Sequence, residues 1–163
     1  AVVAARYPQV PGVADFEPKG QRGWWQRIAP RYWGLTAQEY YDAADLWPLD
    51  PDGNMLLMGI VEEPEGVNNL PDILKQEKGI GAIWAGPGDM SVAMGHRGDS
   101  AHPEVQANLL RILEACKNAG VPCATGATAE EVPMRLEQGF RIIITSPVKS
   151  NPGLAEGRRI SGR

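Results

Sequence analysis

Charge of one sign is something this chain does not accumulate: sixteen Lys and Arg stand against twenty Asp and Glu, a formal net charge of −4. Without a basic field there is nothing to hold a phosphate backbone or an anionic membrane face, so neither nucleic acid nor membrane is an expected partner. Long apolar runs are missing too. No segment reaches the roughly 18 consecutive apolar residues that a membrane span needs, and the opening AVVAARYP has none of the three regions of a secretory signal. The expected compartment is the cytoplasm. Cysteine is scarce, with Cys116 and Cys123 alone, and the pair fits no metal or redox spacing; both are expected to be reduced packing residues. An initiator Met is absent as well, and AVVAARYP reads as the last turns of a helix. The expectation is a fragment, or a chain processed from a longer one.

What is present is an ordinary globular balance, 43% hydrophobic and 22% charged over 163 residues, enough for one domain with a core. Its organisation changes along the chain. Residues 1–54 read as the end of a helix followed by a long aromatic-rich loop region, in which Trp24, Trp25, Tyr32, Trp33, Tyr40, Tyr41 and Trp47 lie among prolines and glycines. A short helix is expected around LTAQEYYDAADLW.

Residues 55–163 are regular. MLLMGIV, residues 55–61, is a continuous apolar run that suits a strand covered on both faces. EEPEGVNNLPDILKQ follows as a helix with Val67, Leu70, Ile73 and Leu74 in one stripe, and Pro71 is expected to kink or restart it. GAIWAG is the second strand. HPEVQANLLRILEACKNAG carries Pro103 just inside a helix, sets Val105, Leu109, Ile112, Leu113 and Cys116 on one face, and stops at Gly120. PCATGA is a third strand. TAEEVPMRLEQG has a capping box of Thr128 and Glu131 and closes at Gly139, although Pro133 disturbs a regular first turn. RIIITS is the fourth strand, rich in β-branched residues. NPGLAEGRRISGR reads as a mobile tail or a failed last helix. Strands and helices in alternation predict an α/β class with a parallel sheet, and four strands fill half of a (β/α)8 barrel.

In such architectures chemistry collects beyond the C-terminal ends of strands. Glu62 ends the first strand and Asp89 ends the second, in GIGAIWAGPGDMS. Neighbouring strands lie about 4.8 Å apart, so the two carboxylates can converge on one cation. Oxygen donors without His or Cys favour Mg or Mn over Zn and leave positions for water and a chelating substrate. Both residues also have plain readings: a Glu at a helix start is a favourable charge there, and an Asp after Gly-Pro-Gly is a common turn residue. Gly86, Pro87 and Gly88 divide in the same way, between a tight turn and a small anion cradle of exposed backbone N–H groups.

At these residues the sequence resembles a known family. IVEEPEGVNNLPDIL, then GIGAIWAGPGDMSVAMGHRGDSAHPEVQ, is similar to the HpcH/HpaI aldolases, metal-dependent class II pyruvate aldolases, over about residues 55–145. The combination of the glutamate with its NLP segment, the GPGDMS turn and the HPEV helix start carries the resemblance. It implies a (β/α)8 TIM barrel of which this chain holds about the last four βα units. It implies that Glu62 and Asp89 are the ligands of a divalent metal, Mg or Mn with Co as a further candidate. It also implies that Gly88 and Asp89 offer backbone N–H groups to the pyruvate carboxylate while Gly86 and Pro87 shape that turn. The implied reaction is aldol cleavage or condensation of 4-hydroxy-2-oxo acids, giving pyruvate and an aldehyde. Alternatives are oxaloacetate decarboxylation or C–C bond formation through the same enolate, and a non-catalytic oxo-acid-binding or structural half-barrel.

The sequence departs from the family at two places. Ile60 stands two residues before the metal glutamate, where a substrate-contacting Gln is common, and ITSPVKSNPG replaces a Val-Gly-x-Asp-like segment. The family's catalytic base His and its oxyanion-stabilising Arg come from the first half of the barrel, and no segment here matches either. His102 is expected to be a cap or turn residue and His96 a loop or interface residue. RGWWQRI resembles a family loop near the site mouth, which singles out Arg22, Trp25 and Arg27 for mutation without a chemical role. The expectation is a chain that acts on a small-molecule 2-oxo acid only as a homo-oligomer or with a complementing half-barrel chain.

Overall fold

The structure is a computed structural model and describes residues 1–8, 17–23, 28–146 and 150–163. It divides into two compact units, one of residues 1–58 with 75–81 and the other of residues 59–74 with 82–163. Trp24, Trp25 and Arg27 lie outside the described residues.

The first unit holds the short helices α1 (Val2–Ala5), α2 (Ala29–Trp33) and α3 (Ala37–Ala43) and a two-stranded parallel sheet, β1 (Leu46–Trp47) with β2 (Met55–Leu56). Helix α3 is the one expected in LTAQEYYDAADLW. Its start is fixed by a capping box in which Thr36 accepts from the Glu39 N–H and Glu39 accepts from the Thr36 N–H. Tyr7, Tyr40 and Ala44 form a buried cluster with Ala29, Leu35, Tyr41 and Met55 packed on it. Arg22 lies over the Tyr7 ring at 4.6 Å and donates to the Tyr40 hydroxyl at 3.0 Å. Arg22 and these tyrosines therefore work in the packing of this unit, with a cation–π contact as part of it.

A second device in the same unit is a buried ion pair. Arg6 has no exposed surface, and its Nε and one terminal nitrogen meet the two Asp45 carboxylate oxygens at 2.6 and 2.7 Å. Burial alone would raise the Asp45 pKa, but hydrogen bonds from Arg6 and the Leu46 N–H, with the Arg6 charge, hold it below the usual carboxylate value.

The second unit begins within β3 (Met58–Val61) and continues through α4 (Pro64–Gln76), β4 (Ala82–Ala85), α5 (Pro87–Ala93), α6 (Pro103–Ala119), β5 (Cys123–Gly126), α7 (Val132–Gln138), β6 (Ile142–Ile144) and α8 (Pro152–Ser161). Its four-stranded sheet runs in chain order, β3-β4-β5-β6. β4 pairs parallel to β5, with Trp84 opposite Ala124, and β5 pairs parallel to β6, with Thr125 opposite Ile143. Four consecutive βα units in that order are half of a (β/α)8 barrel, as the alternation in the sequence predicts. Helix α6 buries Val105, Leu109, Ile112, Leu113 and Cys116, the predicted face, and closes on Gly120 in the left-handed conformation. Cys116 and Cys123 are free thiols, both buried.

The structure corrects the sequence expectations in four places. The run 55–61 is two strands rather than one, because Met55–Leu56 pairs with β1 while Met58–Val61 enters the larger sheet. Helix α4 passes through Pro71 without interruption, and of its predicted stripe Val67 and Leu70 are buried while Ile73 is 42% exposed. Helix α7 starts at Val132 rather than at Thr128; Glu131 does accept from the Thr128 N–H, but a turn intervenes before Pro133 can sit in a first helical turn. The C-terminal segment is neither a mobile tail nor a failed helix. Asn151 caps α8 by accepting from the Leu154 N–H at 3.0 Å, Pro152 takes the first helical position, and Gly162 closes it.

Candidate functional site

The pocket that matters opens at the C-terminal ends of β3 and β4. The Gly86 N–H donates to the Val61 carbonyl at 3.0 Å, a ladder bond that brings the residue after β3, Glu62, beside the residue after β4, Gly86. Gly86 does not need its glycine for a left-handed backbone, since its φ is −91°. It needs it for room: a Cβ there would stand 3.3 Å from the Glu62 Cβ and 3.4 Å from Glu62 Oε2. Gly88, by contrast, faces open space, with nothing within 4 Å of where a Cβ would be.

The expected turn at 86–89 is the start of a helix. Gly86 is the N-cap of α5, Pro87 its first residue, and Gly88 and Asp89 its second and third. Pro at the first position loses no helical hydrogen bond, and the N–H groups of the next two residues have no partner within the helix. Fully buried Ser91 anchors the turn by donating to the Gly88 carbonyl at 2.6 Å. The Asp89 carboxylate thus projects from the first turn of α5, and both Glu62 and Asp89 are exposed.

Glu62 and Asp89 line one open pocket of about 530 Å³ with Ile60, Val61, Glu63, Gly66, Ile73, Val92 and Ala93. Ile60 and Glu62 share one side of the chain by strand alternation, and Ile60 is 51% exposed, with its Cγ2 3.5 Å from where a Gly86 Cβ would sit. Among the predicted site residues, then, Glu62, Gly86 and Asp89 are brought together. Sequence reasoning missed Glu63, Ile73 and Val92. The signal for Ile73 was present in the wrong guise: it falls in the apolar stripe of α4 but turns its side chain to the pocket. Val92 follows from recognising that α5 is a helix, which puts residues 89, 92 and 93 on one face.

Two carboxylates, one directly after β3 and one in the first turn of α5, suit a hard dication that keeps water or substrate in its remaining positions. Among the described residues, neither His nor Arg lines the pocket. His102 caps α6, accepting from the Glu104 N–H, and His96 stands in the loop between α5 and α6. No described helix is long and apolar enough to cross a membrane.

The family described as HpcH/HpaI aldolase/citrate lyase matches residues 6–142. A hydroxypyruvate/pyruvate aldolase of Pseudomonas aeruginosa is 31% identical over 163 residues, which cover 99% of this chain and 54% of that protein. A 5-keto-4-deoxy-D-glucarate aldolase of Citrobacter koseri is 30% identical over 144 residues, 88% of this chain and 49% of the relative. Among solved structures, an HpcH/HpaI aldolase/citrate lyase family protein of Burkholderia cenocepacia superposes with a TM-score of 0.70 at 26% identity, over 96% of this chain and 55% of that one. The chain spans about half the length of the curated relatives it matches.

Proposed function

The chain belongs to the HpcH/HpaI aldolase/citrate lyase family, and on that premise we propose that it carries the metal- and oxo-acid-binding side of a pyruvate aldolase centre. In this reading Glu62 and Asp89 hold a divalent cation, Mg or Mn, and the N–H groups of Gly88 and Asp89 receive the carboxylate of a 2-oxo acid. The observation that carries the reading is the meeting of Glu62 and Asp89 on one pocket, with Gly86 lacking the side chain that would push Glu62 away. The donor set fits the ion: the carboxylates of Glu62, Glu63 and Asp89, and no thiol or imidazole, are among the described residues that line the pocket.

The reaction is cleavage of the C3–C4 bond of a 4-hydroxy-2-oxo acid to pyruvate and an aldehyde. When bound, a divalent cation supplies a Lewis acid for the negative charge that cleavage leaves on the 2-oxo oxygen. Glu62 and Asp89 fix where that charge is met, and the α5 N-terminus orients the substrate carboxylate. Ile60, Ile73 and Val92 give the pocket an apolar lining beside the carboxylates. The 4-hydroxyl proton needs a base, and with no imidazole in the pocket lining we assign that step to groups outside it. Strands β3 and β6 are the two ends of the described four-stranded sheet, and an unpaired edge calls for a cover. In this reading the active form covers these edges with further barrel strands, from a homo-oligomer, a complementing half-barrel or more of a longer chain, and works in the cytoplasm.

The test is binding before turnover. Calorimetry with MnCl2 and pyruvate on the 163-residue chain should show pyruvate bound only when Mn is present, with that binding weakened by about tenfold or more in Glu62→Gln and in Asp89→Asn. Pyruvate binding that ignores both substitutions would refute the site. Product identification with a 4-hydroxy-2-oxo acid and with oxaloacetate, on the assembled enzyme, separates aldol cleavage from decarboxylation.

A further inference from the structure

A second set of ligating side chains lies one loop beyond α5, and the proposed aldolase chemistry does not use it. His96, His102 and Glu104 each bring one donor atom within 4.8 Å of the other two. The His96 Nε2 and a Glu104 carboxylate oxygen are 2.9 Å apart. The two imidazole rings are stacked, with centroids 3.5 Å apart and planes inclined by 17°. From these contacts we propose that His96, His102 and Glu104 form a second cation site, specific for a borderline transition-metal dication of the zinc class, which fastens the α5–α6 loop to the first turn of α6.

The donor set decides the class of ion. Imidazole nitrogen with one carboxylate suits Zn, Co or Ni, whereas the all-oxygen pair Glu62 and Asp89 suits Mg or Mn. A tetrahedral ion with bonds of about 2.0–2.1 Å holds its ligand atoms roughly 3.3 Å apart. The 2.9 Å pair is already near that spacing, and the 4.8 Å limit on the others is within reach of side-chain rotation. An ion bonds in the plane of an imidazole, so binding must open the present stack. The soft χ2 torsion of His allows this at little cost. His102 can coordinate through Nδ1, which holds the ring's lone pair because it accepts the Glu104 N–H at 3.3 Å; binding exchanges that cap bond for the ion while the proton stays on Nε2.

The three residues stand on a fixed frame. His102 and Glu104 occupy the N-cap and second position of α6, a 17-residue helix whose opposite face is buried. His96 is delivered by a loop tied down at several points. Its N–H donates to the Ser91 carbonyl at 2.7 Å, its carbonyl accepts from Asp99, and the buried Ser91 hydroxyl accepts from the Gly98 N–H at 3.0 Å. Gln106 on α6 reaches back to the Ser100 carbonyl at 2.6 Å. Pre-positioned ligands reduce the ordering that binding requires. Protein ligands fill three positions, and water takes a fourth.

The experiment keeps this site separate from the pocket of Glu62 and Asp89. The full chain carrying Glu62→Gln and Asp89→Asn, stripped of metal, is titrated with ZnCl2 by calorimetry, with MgCl2 as the control. One equivalent of Zn is expected to bind, Mg not to compete, and added Zn to raise the melting temperature. His96→Ala and Glu104→Ala, each added to that background, are expected to weaken Zn binding by about tenfold or more. His96→Gln repeats the first test with nearly the same side-chain bulk, should the alanine variant fold poorly. Co(II) loaded in place of Zn is expected to broaden the NMR signals of both histidine rings. Absence of Zn binding, or Zn affinity that neither substitution at His96 nor that at Glu104 changes, overturns the proposal while leaving the reading of Glu62 and Asp89 intact.

Discussion

Glu62 rests against Gly86 so closely that a single methyl group on Gly86 would stand 3.3 Å from the Glu62 Cβ. That distance is tighter than ordinary van der Waals contact, and a Cβ cannot swing aside as the end of a flexible chain can. Gly86→Ala is therefore expected to displace Glu62 with only about 1 kcal/mol lost from stability, the low end of overpacking costs. Its larger effect should fall on the pocket, with Mn affinity down by about tenfold. Paired thermal melts and Mn titrations check this; unchanged Mn affinity would show that Glu62 does not need its present position.

Substitution of Glu62 and Asp89 together tests whether they act as one site. Each of Glu62→Gln and Asp89→Asn should reduce Mn-dependent pyruvate binding by about tenfold or more. Once one carboxylate is gone the other has no shared ion to hold, so the double variant should lose clearly less than the two single losses combined. A coupling of about 0.5–3 kcal/mol is expected in the double-mutant cycle, and additive losses would point to two independent carboxylates.

The Arg6–Asp45 pair gives the first unit a definite pH dependence. Asp45 has a lowered pKa in the folded chain, so the sign is that of a depressed carboxylate. Its contribution is fully present above the unfolded value, about 3.9, and is lost as pH falls through the lower folded value. Asp45→Asn removes the carboxylate that accepts two hydrogen bonds from the fully buried Arg6 guanidinium, at 2.6 and 2.7 Å, and should cost about 1.5–3 kcal/mol at pH 7. Urea melts from pH 7 down to pH 2 should show wild type and Asp45→Asn converging in acid; a constant difference would contradict the assignment.

At the other end of the chain, Asn151 does more than cap α8. Its side-chain amide donates to the Thr145 hydroxyl at 2.7 Å and to the Ser146 carbonyl at 2.9 Å, joining the helix to the end of β6. Asn151→Ala should cost about 1–2 kcal/mol, above a typical lone cap. Asn151→Asp, which keeps the cap but not the amide donors, should fall between them. Hydrogen exchange localised to α8 would distinguish this from a global effect.

The parts of this fold legible in the sequence are those where one signal acted alone. Helix α6 has an uninterrupted apolar stripe, a proline at its start and a glycine at its end, and its buried face is the predicted one. Glu62 was legible as the residue that follows β3, because the apolar run stops sharply there, whereas Asp89, read as the end of the second strand, stands in the first turn of α5, with β4 ending at Ala85. Where two signals compete, the reading failed. Met55–Leu56 and Met58–Val61 are one apolar run by composition but belong to different sheets, which only the pairing partner Leu46–Trp47 reveals. The turn read at Gly86–Gly88 and the tail read from Asn151 are both helix starts, with Pro87 and Pro152 at the first helical position, where proline is tolerated. The walls Ile73 and Val92 were hidden because an exposed apolar residue on a helix looks, in sequence, like a core residue.

The most direct measurement is an X-ray structure of the chain soaked with MnCl2 and pyruvate, with anomalous scattering used to locate Mn. The account predicts a single Mn peak in the pocket, about 2.1 Å from a carboxylate oxygen of Glu62 and from one of Asp89, with pyruvate density reaching the Gly88 and Asp89 N–H groups. Mn bound to only one of these carboxylates, or pyruvate seated away from the pocket, would contradict it.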